Sequence, residues 1–101
     1  VVLEIADIGV KPGLEAEFEA GVAKAAPLFK SAKGCHGLSL QRSHETPTRY
    51  LLFVQWETVE AHMVDFRNSP AFAGWRDCVQ HCFETPPQVQ HVQCVLQAFG
   101  S

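Results

Sequence analysis

Tyr50-Leu51-Leu52-Phe53-Val54-Gln55-Trp56-Glu57-Thr58-Val59 is the stretch on which the fold turns. Tyr50 to Glu57 alternates with a period of two. Tyr50, Leu52, Val54 and Trp56 fall on one face, Leu51, Phe53, Gln55 and Glu57 on the other. This alternation makes the segment the clearest strand of the chain. At Thr58 the period changes. A Thr followed by helical spacing is a helix start, and Val59, His62, Met63 and Phe66 would share its buried stripe.

Outward from this centre the pattern alternates between the two periods. Residues 1–10 are strand-like, with Val2, Glu4, Ala6 and Ile8 on one face and Val1, Leu3, Ile5 and Asp7 on the other. Lys11-Pro12-Gly13 is a turn. A helix follows from about Leu14, with Leu14, Phe18, Val22, Ala25 and Phe29 as its stripe and Pro27 expected to kink it or end it early. Gly34-Cys35-His36-Gly37 reads as a loop, and Leu38 to His44 as a second strand. Ser69-Pro70 starts a further helix with the stripe Phe72, Trp75, Val79 and Cys82. Pro86-Pro87 stops it, and residues 88–99 are expected as a last strand.

The order β-α-β-β-α-β is that of a ferredoxin-like split βαβ: an α+β fold with one four-stranded antiparallel sheet and helices on one face. We expect a single domain over residues 1–101. The uncovered sheet face would need a partner, and a homodimer closing two sheets into a barrel would cover it. Charged residues are 19% of 101, below the average of about 25%, which also suggests a covered surface. The net charge of −3 argues against nucleic acid, which calls for a basic face. No apolar run approaches the roughly 20 residues of a membrane span, and Val1 opens directly into the first strand without a signal sequence. With four cysteines in a chain able to build its own core, a reduced, cytoplasmic protein is expected.

The segments Gln55 to His62, Phe66-Arg67-Asn68-Ser69-Pro70-Ala71-Phe72 and Trp75-Arg76, followed by Pro86-Pro87, resemble the antibiotic biosynthesis monooxygenase (ABM) domain family. The resemblance implies a dimeric α+β barrel. Within that family, one cofactor-independent oxygenase branch carries a strand-end Trp, an Arg twenty residues later, a Tyr six residues after the Trp and an Asn four before it. Trp56 and Arg76 match. The Tyr position is His62 and the Asn position is Leu52. The haem-degrading branch has a first-strand Asn that this chain lacks.

The resemblance therefore implies a small oxygenase that acts without metal or flavin on an electron-rich aromatic such as an anthrone, quinol or polyphenol. His62 would be its base or proton shuttle, Arg76 its anion stabiliser and Trp56 an aromatic wall. Leu52, Phe66, Phe72, Trp75 and His91 are the expected binding residues. A histidine's ordinary pKa near 6.5 suits a base at neutral pH, and a fixed arginine suits a phenolate or enolate. Arg67 reads as a surface or dimer contact. Cys78, His81 and Cys82 share a helix face but lack the fourth ligand of a structural zinc, so no metal is expected. No phosphate loop, dinucleotide fingerprint or nucleophile elbow is present, so no cofactor is expected. Two other readings remain: a non-catalytic dimeric barrel holding a hydrophobic small molecule, and a proton-transfer isomerase or cyclase.

Overall fold

The computed structural model describes residues 1–100. Four strands form one sheet: β1 (Val2–Gly9), β2 (Cys35–Arg42), β3 (Arg49–Trp56) and β4 (Gln88–Val92). Their order is β2-β3-β1-β4, and every neighbouring pair is antiparallel. Two helices, α1 (Glu15–Lys30) and α2 (Pro70–Val79), connect the strands. This is the ferredoxin-like α+β arrangement.

The core lies between the helices and one sheet face. Ala6 and Ile8 from β1 and Tyr50, Leu52, Val54 and Trp56 from β3 meet Phe18, Val22, Ala25 and Phe29 of α1 and Trp75 and Val79 of α2, all of them buried. On the opposite sheet face Leu3, Ile5, Leu51 and Phe53 stay half-exposed, and Asp7 pairs with Arg49 across the strands at 2.8 Å.

Four local expectations differ from the structure. Pro27 does not end α1 early, because it lies in the last four residues with its ring exposed, where a missing N–H costs one bond; the Pro27 carbonyl still accepts the Ser31 N–H. The expected loop Gly34 to Gly37 becomes the start of β2, with a bulge between Cys35 and Gly37.

The helix after β3 begins as expected, the Thr58 hydroxyl accepting the Ala61 N–H at 3.1 Å. It then widens to a π-helix over Ala61–Phe66. Bonds reach five residues in such a turn, as in Arg67 N–H to the His62 carbonyl. Ala61, His62 and Phe66 turn inward, whereas Val59 and Met63 come out to solvent.

The last strand stops at Val92 rather than running to residue 99. Val92 pairs with Leu3, near the beginning of β1, so the chain beyond it has no strand to lie against. Val95, Leu96 and Phe99 consequently project their side chains into solvent.

Candidate active site

A cavity of about 380 Å³ opens between the sheet and α2. Ala6, Ile8 and Leu52 form part of its floor, Phe66, Phe72 and Trp75 part of its walls, and Glu4, His62, Arg67 and Arg76 are polar groups along it. Leu52, Phe66, Phe72 and Trp75 are thus at the cavity, as are His62 and Arg76. Trp56 and His91 are not among its lining residues. They stand behind it and hold its polar groups in place.

Glu4 is the residue that sequence reasoning left out of the site. Its signal was a lone carboxylate on a strand face otherwise built of Val2, Ala6 and Ile8. Strand alternation drives it into the core, where it is 5% exposed. A carboxylate buried without donors would cost several kcal/mol. Here Trp56 Nε1–H donates to Glu4 Oε1 at 2.9 Å, and His62 Nε2 lies 3.3 Å from the same oxygen. Burial still pushes the Glu4 carboxyl above its usual range; the Trp56 bond and the Arg67 charge offset this only in part.

His62 lies in the π-turn with its side chain turned inward, 3% exposed. Its ring stacks on the Trp56 indole, centroids 5.1 Å apart and planes within 13°. Its Nδ1 lies 2.8 Å from His91 Nε2. His91 reaches the pair because β4 sets it opposite Glu4 across β1. If His91 Nε2–H donates to His62 Nδ1, then His62 Nε2 carries its proton on the side that faces Glu4.

Burial, then the nearby Arg67 and His91, lowers the His62 pKa to about 4. Burial and Arg67 lower that of His91 as well. Both imidazoles are neutral at physiological pH, and His91 is the less buried of the two. The row Glu4–His62–His91 therefore leads from the cavity toward a more open part of the sheet edge.

Arg76 extends from α2 into the cavity mouth, largely exposed, its Cζ 6.0 Å from the centre of the Phe72 ring. Arg67, read from sequence as a surface or dimer contact, lines the cavity too, 5.7 Å from the same ring.

A separate trio, Glu17, His81 and Cys82, brings three donor atoms within 4.8 Å of one another. Cys78 is not part of it, and none of the three lines the cavity. Three donors are one short of a closed tetrahedral zinc centre.

The arrangement sets two titratable side chains, Glu4 and His62, at an open cavity with apolar walls, and sequence comparison agrees with the fold. Residues 1–77 match the family described as antibiotic biosynthesis monooxygenase. The chain belongs to that family. It is similar to a solved structure from Bordetella bronchiseptica named for the same family, with 61% identity, a TM-score of 0.93, and coverage of 94% of this chain and 97% of that one. It is also 42% identical to the uncharacterised protein YczJ of Bacillus subtilis over 96 residues, 94% of this chain and all of the relative. SnoaB, a cofactor-independent oxygenase from Streptomyces nogalater, superposes with a TM-score of 0.82 over 96% of this chain and 95% of its own, but at 18% identity the likeness is one of fold.

Proposed function

We propose that this protein is a cofactor-independent oxygenase acting on a small electron-rich aromatic held in the cavity, with Glu4 and His62 as its proton-accepting centre. The observation that carries the reading is the row Glu4–His62–His91 at an apolar cavity, with His62 Nε2 3.3 Å from Glu4 Oε1 and its Nδ1 hydrogen-bonded to His91. The chemistry asks three things of the protein. A base takes an acidic proton from an anthrone or quinol. Positive charge favours the resulting anion. Apolar walls orient it and exclude water. The anion is electron-rich enough to reduce O₂ directly. For an anthrone-like CH₂ group the balance is R₂CH₂ + O₂ → R₂C=O + H₂O: one oxygen atom enters the product and the other leaves in water with both hydrogens.

Glu4 suits the base role because burial raises its proton affinity. His62, held by Trp56 and His91, stands 3.3 Å from Glu4 as a neutral imidazole that lines the same end of the cavity. Trp56 acts as a positioning residue, holding Glu4 by its N–H and His62 by stacking. Arg76, with Arg67, supplies the positive charge. The half-exposed face of Leu3, Ile5, Leu51 and Phe53, and the exposed Val95, Leu96 and Phe99, support a homodimer as the working form.

The test is oxygen uptake with anthrones and quinols, the wild type beside Glu4→Gln. General-base catalysis contributes about 10²–10⁴-fold, so Glu4→Gln should lose turnover by about that factor. Uptake at the autoxidation background in both proteins would overturn the reading. Proton exchange at the substrate carbon without oxygen uptake would instead identify a proton-transfer isomerase built on the same row, and ligand binding with neither would identify a binding module.

A further inference from the structure

The chain has four arginines. Arg42 and Arg49, both away from the cavity, are paired with carboxylates: Arg42 with Glu19 at 3.4 Å and Arg49 with Asp7 at 2.8 Å. Arg67 and Arg76 both line the cavity, and among the described residues neither is in an ion pair. Their guanidinium carbons lie 5.7 and 6.0 Å from the centre of one ring, that of Phe72. Arg67 Nε is buried and has no hydrogen-bond partner. A buried guanidinium N–H without an acceptor is rare and costs desolvation energy. The fold does not supply the acceptor: Glu84 and Glu4 also line the cavity, but neither comes within ion-pairing distance of Arg67 or Arg76.

We propose that Arg67 and Arg76 form an anion subsite that docks a carboxylate carried by the ligand, so that the molecule this cavity takes is an aromatic acid. A guanidinium presents its N–H groups in a planar fork that matches the two oxygens of a carboxylate. The Phe72 ring, near both guanidinium groups, marks the part of the cavity where the acid-bearing end of the ligand would sit. A ligand anchored there places the rest of its ring system along the apolar walls toward Glu4 and His62. The carboxylate is a permanent charge that sets orientation, and with it bound the two arginines favour the transient anion at the reacting carbon only from a distance. The inference rests on the cavity being the ligand site, as in the function proposed above, but not on turnover.

The experiment is equilibrium binding under anaerobic conditions, comparing hydroxynaphthoate with naphthol, which share a ring system and differ in the carboxylate. The wild type should prefer the acid by about tenfold or more, since charge-assisted bidentate pairs are the strong ones. Arg67→Gln and Arg76→Gln should each shrink that preference, the double variant should abolish it, and naphthol affinity should move less than about twofold. Arg67→Lys should recover part of it, having the charge without the fork. Arg76 is at the cavity mouth, so its variant tests the proposal even if Arg67→Gln fails to fold. Equal affinities in the wild type, binding of neither compound, or a preference that survives the double variant would overturn the subsite. Glu4→Gln should keep the acid preference while losing turnover. If oxygen uptake fails and the preference stands, the subsite is right and the oxygenase reading is wrong.

Discussion

Lowering the pH should destabilise this protein through His62, and the effect can be sized. An unfolded histidine takes up a proton near pH 6.5. Folded His62 refuses it until about pH 4, because the charged ring would be buried beside Arg67. Between those two values the unfolded chain binds more protons at this position than the native one, so unfolding becomes easier as pH falls. The sign is that of a depressed histidine: its contribution is complete above pH 6.5, is lost on acidification, and levels off below about pH 4. Each tenfold change in the protonation equilibrium is worth about 1.4 kcal/mol, giving a loss of about 3 kcal/mol across the window. That is a large share of the roughly 5–15 kcal/mol holding a domain together.

Glu4 opposes this. Its pKa is raised, so the native state keeps its proton at pH values where the unfolded chain has released it. The stability it contributes is present at low pH and is lost as pH rises through its folded value. The wild-type curve is therefore the sum of two opposed slopes, and a variant must separate them. Urea unfolding at pH 7, 6, 5 and 4, at one protein concentration, should show His62→Asn losing about 3 kcal/mol less than wild type between the ends. Proton NMR of the His62 ring should give a midpoint near 4. Parallel acid profiles for the two proteins, or a ring titrating near 6.5, would refute the reasoning.

Two further outcomes follow from the packing. Trp56→Phe keeps an aromatic ring against His62 but removes the N–H that Glu4 accepts; hydrogen bonds to charged groups are worth about 1.5–3 kcal/mol. Urea unfolding should show that loss at pH 7 and a smaller one at pH 4, where a protonated Glu4 needs the donor less. Gly21→Ala would place a Cβ 2.5 Å from the Cys78 carbonyl oxygen and 3.1 Å from Val79 Cγ1, where α1 crosses α2. Overpacking of about 1–3 kcal/mol outweighs the helix-propensity gain of under about 1 kcal/mol. The melting temperature should fall by several degrees, and a rise would show that the helices part easily.

The strands were legible because alternation is written into every one of them; Tyr50 to Trp56 marks its faces without ambiguity. Their ends were less so. Whether β4 stops at Val92 depends on where β1 begins, which is a fact about the neighbour and not about residues 93–99. The site was legible in part. His62, Arg76 and the apolar walls stood out by residue type and resemblance. Glu4 was visible only as a face residue, because its value comes from Trp56 and His62, more than fifty residues away in sequence. Arg67 looked like a surface residue because nothing local says that its neighbours leave it without a carboxylate.

The wide turn at Ala61–Phe66 has a consequence for how the site can change over time. An α-helix advances about 100° per residue, and a π-turn holds one residue more than an α-turn would between the same two ends. Deleting one residue among Met63, Val64 and Asp65 would let the segment relax to an ordinary helix without moving β3 or α2. His62 and Phe66 would then be three residues apart instead of four, on the same side of the helix but turned to a different angle. The single surplus residue thus sets the angle between the imidazole and Phe66, and its loss is a one-codon route to a re-aimed ring at the same cavity.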